Sequence, residues 1–257
     1  MARRKHSKRR RRRGSLGFLY KLLSVAVICT AIVLALTLFF RVETITVSGQ
    51  RRYTEDQIRE ASGVESGDNL YLLNKHEVAA RITQALPYVE SIRINRKLPD
   101  TLRIEVRECG PPMALVQDGF AWLISPQGKI LEQAEESAAG GYASITGCQL
   151  LAPAVGEAIA LATEYAAQQS SLVNLLGALE EAGLTEEVDG IRLDDLSCLN
   201  MDYAERFTVR MGYGADYGLE LQKLTAVLAS GKIQSNMSGT IDMQLDSERV
   251  LFYQNVR

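Results

Sequence analysis

The sequence predicts an α+β protein: a single N-terminal transmembrane helix, a small β-α-α-β-β domain, and a larger mixed α+β domain with a largely antiparallel sheet. Three observations carry that expectation. A block of positive charge runs directly into nineteen uncharged residues, 22–40. Behind it, alternating β-branched segments bracket two stretches that begin with helix-capping residues. Beyond Glu108 the pattern changes to many short strand-like segments separated by turn residues, with helical stretches among them.

Residues 1–21 hold ten Lys/Arg and no acid, so the remainder carries nineteen bases against thirty-one acids, a formal −12. The overall net charge of −2 therefore hides two chemically opposite parts. In 22–40 the only polar residues are Ser24, Cys29, Thr30 and Thr37. At about 1.5 Å per residue this helix approaches the roughly 30 Å of a hydrocarbon core, and it can be extended back to residue 16. Its hydroxyls can return hydrogen bonds to the preceding turn, which makes them tolerable in lipid. The run exceeds a secretion signal's apolar core and ends in Leu38, Phe39 and Phe40 where a signal has small residues, so an uncleaved anchor is expected.

Ten bases precede the helix, whereas Arg41, Arg51, Arg52 and Arg59 are the only ones within about twenty residues after it. The bias puts 1–21 in the cytoplasm as a basic tail against anionic membrane lipids, and 41–257 outside. Nucleic acid is not expected as a partner. The tail has no interleaved aromatics, and the acidic bulk would repel a phosphate backbone. Cys109, Cys148 and Cys198 are odd in number and widely spaced, which fits small buried hydrophobes better than a disulfide framework.

Within 41–108, "VETITV" reads as a strand entering a turn at Ser48-Gly49. Thr54 with Gln57 forms a capping box for a short helix that carries Ile58 and Ala61 inward and stops near Gly63. Asn74 followed by Glu77 opens a second helix, with Val78, Ile82 and Ala85 or Leu86 as one stripe, ended by Pro87. Tyr88, Ile92 and Ile94 face one way in the next strand. Leu102, Ile104 and Val106 do so in a third, with "RKLPDT" between them. Two helices on one side of a three-stranded sheet bury these faces most economically.

In 109–254, the paired prolines of "CGPPMALVQDG" suit a rigid hinge or the entry of an edge strand. "FAWLISPQGKIL" reads as two strands around a turn, Glu132 to Gly141 as a solvated loop, and "YASITG" as a strand. Pro153 can start a helix over "AVGEAIALATEYAAQQ", and "LVNLLGALEEAG" is a second helix ending at Gly183. "GIRLDDL" and "ERFTVRMG" resemble a strand pair, and Leu221, Leu224 and Leu228 recur at helical spacing. "GTIDMQL" and "ERVLFYQ" close the chain as a hairpin around "DSE", and 255–257 form a bare C-terminal end.

No catalytic, cofactor-binding or metal-ligating residue is expected from the sequence. The two histidines, His6 and His76, fall on opposite sides of the expected membrane. No G-x-S-x-G elbow, S-x-x-K pair, H-E-x-x-H helix or phosphate loop is present. Glu180 with Glu181, Glu186 with Glu187, and Asp194 with Asp195 are acidic pairs near Gly183 and Gly190. Solvated surface is their expected role, against the facing carboxylates that a glycan hydrolase needs.

"FRVETITVSG", the "GD-N-L" of Gly67 to Leu70, and "LPYVESIRINRKLPDTLRIEVRE" resemble a POTRA domain. Its position after a basic tail and one anchor resembles the bacterial FtsQ/DivIB cell-division family. The closing half, with "FTVRMGYG", "ELQKL" and "GTIDMQLDSERVLFY", is similar to that family's β-domain, so the resemblance covers 16–254.

The resemblance implies a non-enzymatic septal protein that binds FtsB/DivIC-like and FtsL-like partners and helps control septal peptidoglycan synthesis. It also implies possible contacts to other septal proteins through the POTRA domain. The partner would add a strand to the final strands, with Thr240, Leu245, Ser247, Phe252 and Tyr253 at the contact positions. Leu245 stands where some relatives carry an aromatic. Strand alternation leaves at most one of Phe252 and Tyr253 in the core. A proline at Asp242 or Met243 is expected to weaken the contact. The competing functions are a POTRA-containing chaperone or transport component, and a cell-wall enzyme.

Overall fold

A computed structural model of the chain describes residues 16–234, 236–244 and 250–255. Residues 1–15 of the basic tail, Leu245 and Ser247, and the turn "DSE" lie outside them, while 16–21 belong to the first helix.

Helix α1, Leu16–Phe39, contains one stretch, Gly17–Thr37, long and apolar enough to cross a membrane, and none of it is buried against protein. Its polar groups are satisfied within the helix. Ser24 donates to the carbonyl of Lys21, Thr30 to Ala26 and Thr37 to Leu34.

The first sheet unit follows in the expected order: β1 (Thr44–Ser48), α2 (Glu55–Ser62), α3 (Lys75–Ala85), β2 (Val89–Lys97) and β3 (Thr101–Glu108). β3 is central, parallel to β1 and antiparallel to β2. The capping box forms, since Thr54 accepts from the amide of Gln57 while the Gln57 side chain accepts from the amide of Thr54. Gly63 ends α2 in the left-handed conformation. Ile58, Val78, Ile82, Leu102 and Ile104 are buried together, with Leu86 and Ile92 packed at the margin; Ala85 is exposed. Gly49, at φ +92°, allows the chain to pass β3: a Cβ there would sit 2.1 Å from the carbonyl oxygen of Val106.

The second unit is a nine-stranded sheet of β4 (Met113–Gln117), β5 (Phe120–Ile124), β6 (Ile130–Glu135), β7 (Ser144–Thr146), β8 (Val188–Arg192), β9 (Cys198–Tyr203), β10 (Phe207–Gly212), β11 (Gly239–Asp242) and β12 (Leu251–Gln254). Its spatial order is β12-β11-β10-β9-β8-β7-β4-β5-β6. Five of the eight pairings are antiparallel, and β4·β7, β7·β8 and β10·β11 are parallel. Helices α4 (Ala166–Ala182) and α5 (Tyr217–Ala229) place Leu172, Leu175, Leu179, Leu221 and Leu224 in one core with the strands.

Four sequence expectations need correction here. The helix expected from Pro153 is absent: 153–162 run irregularly or extended, a 3-10 turn occupies Thr163–Tyr165, and α4 begins only at Ala166. Ile159 and Leu161, two apart, both enter the core, and the Gln169 side chain binds Ile159 O and Leu161 N, so the segment is used in extended form. β8 and β10 are not partners, because β9 lies between them and pairs with both. The expected loop from Glu132 is strand to Glu135 and then a 3-10 helix. Glu180 and Glu181 lie in the last turns of α4 instead of a turn.

The two units touch through a polar cluster. Arg52 pairs with Glu132 at 3.5 Å and lies 3.8 Å over the ring of Tyr88, whose hydroxyl donates to the same carboxylate at 2.8 Å. Lys129 donates to the carbonyls of Thr83 and Pro87.

Candidate functional site

The closing strand pair is built from the inside outward. β11 lies between β10, to which it is parallel, and β12, to which it is antiparallel. Both of its edges are therefore occupied, and the amide of Met243 continues the ladder by donating to Arg210 O at 3.0 Å. Among the described residues β12 has β11 as its single neighbour in the sheet, so the open edge belongs to β12. Asp242 and Met243 belong to the interior ladder, so a proline at either would act on the contact through β11, the strand that supports the edge.

Register decides which side chains face where. Ile241 stands opposite Phe252, and Ile241 is fully buried. Phe252 is half-buried, with its ring edge-on to Phe207 at 6.2 Å, so it faces the helical core. Thr240 stands opposite Tyr253 on the other face, and Tyr253 is 55% exposed. The same row continues through Thr208 and Asp202 to Gly190 and Ser144.

The amide of Asn255 donates to Ser238 O at 2.9 Å. Antiparallel alternation then points the peptide groups of Leu251 and Tyr253 toward β11, and those of Phe252 and Gln254 toward the open edge. Gly239 makes the close approach possible. A Cβ on it would lie 2.1 Å from the carbonyl oxygen of Tyr253 and 3.0 Å from the ring of Phe252. Sequence reasoning missed Gly239, although a glycine opening a β-branched strand is itself the signal.

The outward face beside this edge is polar and internally paired. Thr208 donates to Asp202 at 2.8 Å, and Arg192 pairs with the same carboxylate at 2.8 Å. Arg210 bridges Asp195 at 3.4 Å and Asp242 at 3.5 Å. The Ser197 hydroxyl and amide, then the Cys198 thiol, hold the Asp195 carboxyl down at about 2, with Arg210 adding to the effect. An open groove of about 470 Å³ runs past the end of the pair, lined by Asp202, Arg206, Thr208, Gly239 and Asn255 among others.

Among the described residues no three His, Cys, Asp or Glu side chains cluster as metal ligands. His76 lies exposed in the first turn of α3. Glu187 accepts from the Tyr203 hydroxyl, and Glu180 faces Gln127 and Arg107. One member of each acidic pair, Glu180, Glu187 and Asp195, thus makes a local structural contact, and Glu181, Glu186 and Asp194 are exposed.

These features define a class: a membrane-anchored α+β protein whose candidate site is an open sheet edge. Residues 40–108 match the POTRA domain, FtsQ-type. The chain is 23% identical over 215 residues to the cell division protein DivIB of Clostridium botulinum (strain Hall), covering 83% of this chain and 82% of that protein. It is 28% identical to the cell division protein FtsQ of Syntrophotalea carbinolica, over 79% of this chain and 71% of that protein. The FtsQ of Geotalea daltonii is 24% identical, over 85% and 78%. The chain is thus similar, over most of its length, to proteins named FtsQ and DivIB.

Proposed function

We propose that this chain is a non-enzymatic septal cell-division scaffold, held in the cell membrane with its N-terminus cytoplasmic and both sheet units outside. In this reading it binds an FtsB/DivIC-like partner by strand addition at β12, engages an FtsL-like protein in the same complex, and helps control septal peptidoglycan synthesis. The names of its relatives and its own FtsQ-type POTRA match support the division role. The observation that carries the binding mode is the edge of β12, left open among the described residues, with its outward peptide groups beside an exposed Tyr253. Thr240 and Tyr253 would supply side-chain selectivity, Phe252 would hold the strand to the core, and Leu245 and Ser247 remain contact candidates from the sequence.

The test is a titration of the full chain in nanodiscs against the DivIC-like protein of its host. Gln254→Pro removes an outward-facing donor from an exposed position without disturbing the core. Binding should weaken at least tenfold, about 1.4 kcal/mol, with unfolding unchanged. Unchanged affinity in the folded variant would rule out strand addition at this edge.

A further inference from the structure

The membrane helix and the first sheet unit are joined by more than the chain between them. The Asn69 side chain donates to the carbonyls of Leu36 and Thr37, at 3.5 and 3.3 Å, in the last turn of α1. The amide of Leu70 donates to Phe40 O and that of Val42 to Asp68 O. The ring of Tyr71 meets that of Phe40 edge-on at 5.0 Å. The loop between α2 and α3 is therefore clasped to the point where α1 ends.

A second loop reaches the same end. The turn between β2 and β3 carries Leu98, and two residues later the carbonyl of Asp100 accepts from the amides of Glu43 and Thr44. Exposure follows this geometry. Among the described residues from 42 to 108, the large apolar side chains exposed to solvent are Tyr71 (49%), Leu72 (79%) and Leu98 (53%), and no others. A fully solvated unit would scatter such residues over its surface. Here all three lie on the two loops tied to the helix exit, and ring contacts run from the bare Phe39 through Phe40 to Tyr71.

The polar groups at this end are disposed compatibly. Arg96 donates to the carbonyls of Tyr71 and Leu73, holding the backbone on either side of Leu72. Arg41 and Lys97 are exposed at the same end, while Asp68 and Asp100 are engaged by the Glu65 amide and the Thr101 hydroxyl.

We propose that Tyr71, Leu72 and Leu98 rest in the interfacial region of the leaflet that the C-terminal end of α1 reaches, so that the first sheet unit lies against the bilayer. The occupant is lipid, because the patch continues the surface that α1 already presents to acyl chains. One helix leaves a domain free to swivel; two further apolar contacts fix its tilt.

The full chain in nanodiscs tests this. Leu72→Trp and Leu98→Trp add an exposed indole to a chain whose single tryptophan, Trp122, is buried. Lipids brominated near the carbonyl end of their acyl chains should remove most of the added emission. A Trp at exposed Val116, on the second unit, should keep its emission. Equal emission at 72, 98 and 116 would overturn the proposal. The unaltered chain gives a reading independent of folding defects: Leu72 and Leu98 methyls should show nuclear Overhauser contacts to lipid. Their absence, with such contacts present along α1, would overturn it as well, and contacts to another protein in place of lipid would do the same.

Discussion

Phe252 packs edge-on against Phe207, 6.2 Å between ring centroids, while its neighbour Tyr253 projects from the opposite face of the sheet. The two aromatics therefore have separable tasks. Phe252→Ala should cost about 1–3 kcal/mol in chemical unfolding, below the 3–5 of a fully buried phenylalanine, because the ring is half-covered. Tyr253→Ala should stay within about 0.5 kcal/mol in the same unfolding curve, yet weaken partner binding in titration. Equal loss of stability from both substitutions would contradict the register.

Gly239→Ala is expected to act at a distance on β12. The added methyl would meet the carbonyl oxygen of Tyr253 at 2.1 Å, closer than any packing tolerates, so β11 and β12 must separate. Hydrogen exchange at 251–254 should accelerate, with β9 and β10 retaining their protection. Partner binding should fall with it. Unaltered exchange at β12 would mean that the strand has another way to accommodate a side chain.

Lys129 ties the second unit to the end of α3, donating to Pro87 O at 3.0 Å and Thr83 O at 3.4 Å. Lys129→Met keeps the aliphatic stem and removes both bonds. About 1–2 kcal/mol of stability should be lost, from the range of charge-assisted hydrogen bonds discounted for a half-exposed group. Spin-label distances between α2 and β5 should broaden at the same time. Distances as narrow as in the unaltered chain would assign the interface to the remaining contacts, Arg52 and Tyr88 with Glu132 and Arg107 with Glu180.

What the sequence disclosed depended on how local each signal was. The capping box of Thr54 and Gln57 spans three residues and is readable directly, as is the alternation that separates Phe252 from Tyr253. β9 was illegible because its hairpin to β10 turns through Ala204 and Glu205, both at positive φ, without the glycine or asparagine that usually marks such a turn. The stretch after Pro153 is alanine-rich, and Ile159 and Leu161 decide its extended form only through contacts with β4–β8 and α4. The identity of the open edge depended on the parallel pairing of β10 with β11, a relationship between segments about thirty residues apart. Nothing local distinguishes an edge strand from its neighbour, which is why the proline expectation fell on β11.

The half-buried thiols of Cys109 and Cys148 supply a pH dependence with a definite sign. Burial pushes Cys109 and Cys148 up to about 11, with Glu90 adding to the shift at Cys109. Between the ordinary thiol value near 9 and about 11, the folded chain holds protons that the unfolded chain has released. Stability from these groups is therefore complete below about pH 9 and is lost as pH rises through 11. Urea midpoints measured across that window should fall, and Cys109→Ala with Cys148→Ala should flatten the fall. Alkylation gives the kinetic counterpart, since the thiolate is the reacting form. At pH 8 both cysteines should be modified far more slowly in the folded chain than in urea. Equal rates in the two states would show that neither thiol is shielded as its surroundings require.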